Sequence, residues 1–167
     1  EAQVESIDLA ELIQDVLSFL GKEAQNRGIA IRVDVPEETP PVELERGKVQ
    51  QIFLNIINNA MAAVADGGRI EVRVQPEAEG ALAVDFIDDG CGIPREDLTR
   101  IFEPFFSTKT NRGGTGPGLS ITYNLAQEIG GRIAVESEVD RGTRFRVFLP
   151  LKQPPREGPN HACTFSG

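Results

Sequence analysis

The sequence predicts an α+β fold, a two-layer α/β sandwich with three main helices on one face of a mixed, mostly antiparallel sheet. Three observations lead there. Segments with helical and strand-like apolar spacing follow one another as helix, strand, helix, strand, strand, short helix, loop, helix, strand, strand. The two adjacent strand pairs are joined by short glycine-containing turns, which suits antiparallel hairpins. The regular strand–helix alternation of a doubly wound parallel sheet is missing.

Each element has its own signal. Asp8 followed by Glu11 reads as a capping-box start. Leu9, Leu12, Ile13, Val16, Leu17 and Leu20 then recur at helical spacing, with Gly28 just past the end as a C-cap. Ile29, Ile31, Val33 and Val35 alternate as in a strand, and the Pro36–Pro41 segment is a loop. A second helix runs from Gly47 to Ala65, with Val49, Ile52, Phe53, Ile56, Ile57, Ala60 and Val64 as its buried face. Asp66-Gly67-Gly68 stops it. Strands at Arg69–Gln75 and Ala81–Asp88 flank a turn at Gly80, and Pro94 opens a short helix ending near Ile101. From Glu103 to Gly118 the chain is polar and glycine-rich without period, and a loop of that length in a compact domain is usually functional. Leu119, Tyr123, Ala126 and Ile129 mark a third long helix, stopped by Gly130-Gly131. A hairpin closes the fold, Arg132–Glu138 and Thr143–Leu149 around Asp140-Arg141-Gly142. Residues 1–152 are expected to form one domain. Residues 153–167, rich in Pro and Gly, are expected to be a disordered tail.

Composition narrows the function. A net charge of −9 argues against nucleic-acid binding and against docking on an anionic membrane. No apolar run reaches the roughly 20 residues a membrane span needs, and nothing reads as a signal peptide. Cys91 and Cys163 lack metal-ligand spacing, and reduced thiols fit a cytoplasmic domain.

Four segments carry candidate chemistry. Asn55 and Asn59, four residues apart, share a helix face away from the apolar one. Their carbonyl oxygens suit a hard cation such as Mg²⁺, although two solvated amides would read the same way. Asp88-Asp89-Gly90-Cys91-Gly92-Ile93-Pro94 follows a strand. There a carboxylate can accept a hydrogen bond from an exocyclic amine and glycines let backbone approach a flat ring; an ordinary Asp-Gly turn is the alternative. Phe102, Phe105 and Phe106 can anchor the following loop or finish the core. Gly113-Gly114-Thr115-Gly116-Pro117-Gly118-Leu119-Ser120 leads into a helix, as in a phosphate cradle. Neither the dinucleotide fingerprint nor the P-loop pattern is present.

The order and spacing of these segments resemble the N, G1, F and G2 boxes of the sensor histidine kinase catalytic domain, within the gyrase–chaperone–histidine kinase–MutL ATPase superfamily. Gly142-Thr143-Arg144-Phe145 resembles the G3 signature, and Phe-Glu-Pro-Phe-Phe-Ser-Thr-Lys looks most like the nitrogen-regulation (NtrB-like) subgroup. The resemblance spans about Ile7 to Leu151. It implies ATP and Mg²⁺ as cofactors, with Asn59 ligating the metal and Asn55 assisting. It implies a base site of Asp88, Gly90 and Gly92, supported by Thr143, with Ile93 and Phe102 also binding the cofactor. It implies a flexible ATP lid in which Lys109, with Arg112 near it, approaches the phosphates and Gly114, Gly116 and Gly118 give the hinge and phosphate contacts, with Thr115 and Leu119 also binding the cofactor. Asn55 and Lys109 are the residues expected to act in catalysis.

Hydrolytic members of the superfamily carry a water-activating glutamate where this chain has Asn55, and an amide cannot act as a general base. Phosphoryl transfer to an external nucleophile is therefore the expected activity, catalysed by positioning and charge neutralisation. The resemblance implies a histidine acceptor on a preceding helical dimerisation domain, and a response regulator as the next carrier. The chain's single histidine, His161, lies in the Pro/Gly-rich tail, so no autophosphorylation of this chain alone is expected. A monomer is expected for it, and a homodimer, open to membrane anchoring, for the full-length kinase. A degenerate nucleotide-binding or docking module and a hydrolytic ATPase are the competing readings. Two positions depart from the family pattern. Pro117 replaces a leucine and either deletes a phosphate-facing N–H or pre-sets the first helical turn. Glu45 stands where aspartate is common.

Overall fold

The computed structural model describes residues 3–77, 80–103 and 116–154, the side chains of 116–118 excepted. The elements run β1 (Val4–Ile7), α1 (Leu9–Ser18), α2 (Gly21–Arg27), β2 (Ala30–Asp34), β3 (Val42–Glu45), α3 (Arg46–Ala63), β4 (Arg69–Glu77), β5 (Ala81–Asp88), α4 (Arg95–Leu98), α5 (Gly116–Glu128), β6 (Arg132–Glu138) and β7 (Gly142–Pro150). Five strands form the main sheet in the order β2-β4-β5-β7-β6. Only β2–β4 is parallel within it; β4–β5, β5–β7 and β6–β7 are antiparallel. This is the two-layer α+β architecture that the element order implies.

Strand alternation builds the core. Ile70, Val72 and Val74 of β4, Leu82, Val84 and Phe86 of β5, and Phe145, Val147 and Leu149 of β7 are buried toward the helices. Against them α3 packs Val49, Ile52, Phe53, Ile56, Ile57 and Ala60, its expected face, with Met61 added. Phe53 meets Phe86 edge-to-face with ring centroids 5.2 Å apart. The opposite sheet face is polar: Arg144 and Arg146 of β7 flank the fully buried Asp85 of β5.

Three expectations need correction. The first helix is two helices. Phe19 and Leu20 donate to Val16 O and Leu17 O, three residues back, which tightens the chain before Gly21, a weak helix former. Leu20 thereby stays buried while Phe19 is left 64% exposed. Secondly, β1 and β3 form a separate two-stranded antiparallel sheet that the sequence reading assigned to no strand. At four residues each, with Ile7 the sole buried side chain of β1, they show too little alternation to register. Thirdly, α5 begins at Gly116, so the last three residues of the expected loop are helical, with Pro117 in the first turn, where its missing N–H leaves no helical bond unmade.

Two helix ends are firmly made. Asp8 accepts from Ala10 N at 3.0 Å and Glu11 N at 3.4 Å, as the capping start requires. The far end of α3 is capped by another helix. Arg27 of α2 donates to Met61 O (2.8 Å) and Val64 O (2.7 Å) and pairs with Asp66 at 2.7 Å. Those carbonyls have no intrahelical partner, and a cation there opposes the negative end of the helix dipole. The Asp66 hydrogen bond outweighs burial, which acts the other way, and raises the Arg27 pKa.

Candidate nucleotide site

Asp88 ends β5 and is 6% exposed. Its carboxylate accepts from Gly90 N at 2.8 Å, and the nearby Thr143 backbone N–H also favours its charged form. Burial nevertheless dominates and pushes its pKa from 3.8 up to about 6, with neighbouring Asp89 adding to the rise. Asp88 lies directly opposite Thr143 in the β5–β7 ladder. Opposed residues of antiparallel strands send their side chains to the same face, so the two sequence-predicted base contacts adjoin.

The glycines at 90, 92 and 142 are required by close packing around the Asp88 loop. A Cβ on Gly90 would stand 2.6 Å from Ala63 O at the end of α3. One on Gly92 (φ +78°) would stand 2.2 Å from Glu138 O, and one on Gly142 (φ +121°) 2.0 Å from Asp88 O. Cys91 N donates to Ala63 O (3.1 Å), and Asp140 N donates to Cys91 O (2.8 Å). Loop 88–92 is thus wedged between α3 and the β6–β7 hairpin. The close approach that glycine permits is made to the protein's own backbone.

Ile93 N donates to Ser137 Oγ at 2.7 Å, which ties the loop's exit to β6. Phe102 lies 5.4 Å from the Tyr123 ring and 6.4 Å from Phe145, so it packs on the core beside α5. Leu119 is buried on α5.

The amides of α3 line the seam with α5. Asn55 Nδ2 donates to Thr122 Oγ1 at 2.9 Å, and Asn55 Oδ1 accepts from Gln51 Nε2 at 2.8 Å. Two turns earlier, Lys48 bridges Glu128 (2.8 Å) and the buried Glu45 (3.1 Å), and the Glu128 contact leads in raising the lysine's pKa. Glu45 also accepts from Gln153 Nε2. Asn59, half-buried, sits one turn before Ala63, the residue on which Gly90 rests. The base end and the amide seam therefore share α3 as their common wall.

The donor set fits Mg²⁺. Among the described residues no group of three His, Cys, Asp or Glu could hold a metal. Mg²⁺ keeps waters and phosphate oxygens and asks for only one or two protein oxygens, such as the Asn59 carbonyl. Lys109, Arg112, Gly114 and Thr115 lie outside the described residues, as do the expected lid between 104 and 115 and His161. Gly116 and Gly118 are placed by backbone alone, in the first turn of α5.

Comparison with known proteins identifies the family and the fold. Residues 44–153 match the family model described as histidine kinase-, DNA gyrase B- and HSP90-like ATPase. The chain belongs to that ATPase family. Its relatives include sporulation kinase E of Bacillus subtilis, 32% identical over 91% of this chain and 20% of that protein. The sensor kinase CckA of Brucella abortus is 35% identical over 87% of this chain and 17% of that protein. The chain thus spans about a fifth of the length of these relatives. Among solved structures, the catalytic domain of histidine kinase ThkA superposes with a TM-score of 0.80 at 27% identity, covering 91% of this chain and 99% of that one. Histidine kinase ShkA, solved with AMPPNP, gives a TM-score of 0.81 at 27% identity over 90% of this chain and 31% of that one. The family ties this ATPase-like domain to ATP, and no helix among the described residues is long and apolar enough to cross a membrane.

Several site contacts escaped the sequence reading. Ser137, Thr122, Gln51 and the Lys48–Glu128 bridge are single polar residues in otherwise ordinary segments. Only their partners in space distinguish them.

Proposed function

We propose that this chain is the ATP-binding catalytic domain of a sensor histidine kinase. It transfers the γ-phosphoryl group of ATP to a histidine on a helical dimerisation domain outside this chain, for relay to a response regulator aspartate. The observation that carries the reading is the buried Asp88 carboxylate opposite Thr143, an acceptor site for the exocyclic amine of adenine.

The residues divide the work. Asp88 and Thr143 hold the base, and the loop through Gly90, Gly92 and Ile93 walls its pocket. Phe102 and Leu119 close the apolar side. The first turn of α5, at Gly116 and Gly118, turns unpaired N–H groups to the phosphates, with Lys109 and Thr115 completing their cover. Asn59 holds Mg²⁺, and Asn55 can join it by releasing Gln51. The metal, when bound, neutralises phosphate charge in the transfer. Asn55 supplies no base for water, which favours a kinase over a hydrolase. ThkA has been solved in complex with the response regulator protein TrrA, a precedent for the regulator partner.

The test is biochemical. The chain should bind ATP in a Mg²⁺-dependent way and acquire no phosphate alone. It should place acid-labile phosphate on an added histidine-bearing dimerisation domain of a related kinase. Steady release of inorganic phosphate without that domain would favour the hydrolase reading instead.

A further inference from the structure

We infer that Ser137 is a positioning residue that sets base specificity: it fixes the Thr143 hydroxyl as a hydrogen-bond acceptor and so restricts the pocket to purines with an amino rather than a keto group at position 6. The inference rests on the nucleotide site proposed above and extends it to a residue on β6.

Asp88, Thr143 and Ser137 stand in one row across β5, β7 and β6, each directly opposite the next. Side chains in such a row share a face and lie about 5 Å apart at Cβ. Ser137 Oγ has three neighbours. It accepts from Ile93 N at 2.7 Å, donates to Gly142 O at 2.9 Å, and lies 2.8 Å from Thr143 Oγ1.

A proton inventory fixes the direction of the third contact. A serine hydroxyl has one proton and two lone pairs. Gly142 O can only accept, so it takes the proton. The Ile93 N–H takes one lone pair. The remaining lone pair faces Thr143, which must therefore donate its own proton to Ser137. Thr143 Oγ1 is left with lone pairs alone to offer the base. The Asp88 carboxylate is likewise an acceptor when ionised.

Two acceptors side by side suit the 6-amino group of adenine, which donates. They repel the 6-keto oxygen of hypoxanthine or guanine, which presents lone pairs. Without Ser137 the Thr143 hydroxyl is free to turn its proton toward the base and to donate to a keto oxygen.

The test is competition of ATP and inosine triphosphate against a fluorescent adenine nucleotide, on the whole chain with Mg²⁺ at pH 7.5. The native chain should prefer ATP. Ser137→Ala should shift the affinity ratio toward inosine triphosphate roughly tenfold, the scale of one hydrogen bond changing from repelled to made. Ser137→Thr, which keeps a hydroxyl, should restore the native ratio. Should Ser137→Ala fail to fold, Ser137→Cys, a weak donor and acceptor, should give an intermediate ratio. A merely structural serine would weaken both ligands alike, so a ratio within twofold of native in the folded variant overturns the inference. A native chain that binds no ATP overturns the proposed function and this inference with it. ATP binding with an unchanged ratio overturns this inference alone.

Discussion

Asp85 and Asp88 sit three residues apart on β5, both buried, on opposite faces of the sheet. On the polar face, Asp85 is met by Arg146 through two hydrogen bonds, at 2.7 and 2.9 Å, with Gln75 Nε2 at 3.2 Å. That pairing is the leading cause raising the Arg146 pKa. On the helix face, Asp88 receives backbone N–H groups, and burial wins. One carboxylate is compensated within the protein, as a buried charge in a stable fold should be. The other carries an uncompensated cost that a ligand's amine can relieve. The same residue type on one strand thus serves architecture in one place and, on the function proposed here, recognition in the other.

Substitutions can break this contrast. Asp85→Ala strands Arg146 and should lower unfolding free energy by about 3 kcal/mol in urea melts, while ATP affinity at temperatures where the variant is folded stays native. A parallel loss of affinity would mean that the polar face also shapes the site.

Asp88→Asn should behave oppositely. It should weaken ATP binding by roughly tenfold to a hundredfold in calorimetric titration, the value of a charge-assisted hydrogen bond. Its stability effect should follow pH. A carboxyl whose pKa is raised on folding favours the folded state fully below its unfolded value and loses that contribution as pH rises through the folded one. With values of 3.8 and about 6, the native chain loses on the order of 3 kcal/mol across that window, at 1.36 kcal/mol per pH unit. The stability of the asparagine variant relative to the native chain should therefore rise between pH 4 and pH 7. A flat difference would remove the uncompensated charge from the argument.

The smallest effect is expected for Arg144→Met. Arg144 stands 3.9 Å from Asp85 and pairs at 2.9 Å with the exposed Glu136. Its loss should cost less than about 1 kcal/mol, and less still in high salt. A larger cost would show that Asp85 needs both arginines.

Asp88 was legible in the sequence and Asp85 was not, for a physical reason. Asp88 stands where a strand gives way to Gly90 and Gly92, a local pattern a reader can see. Asp85 is one polar residue inside Ala81–Asp88, and its meaning depends on Arg146, 61 residues away. The same distinction runs through the fold. Long periodic segments such as α3, and hairpins with glycine turns, announce themselves through nearest neighbours. The four-residue strands β1 and β3 exist because they pair with each other. The break at Phe19–Leu20 hides inside an unbroken apolar period. Ser137 and Thr122 look like ordinary strand and helix residues until the strand register and the α3–α5 seam supply their partners. Asn55 was legible as an amide in a place where hydrolases need a carboxylate; that it is held by Thr122 and Gln51 was not.

The glycines at 90, 92 and 142 bear on how such sequences should be read across a lineage. Each is demanded by backbone of the same chain at 2.0–2.6 Å. Selection on folding alone would retain them. A descendant that had lost ATP binding would keep its glycine signature. The glycine signature therefore speaks for the fold, and substitution at Asp88 tests the proposed nucleotide site.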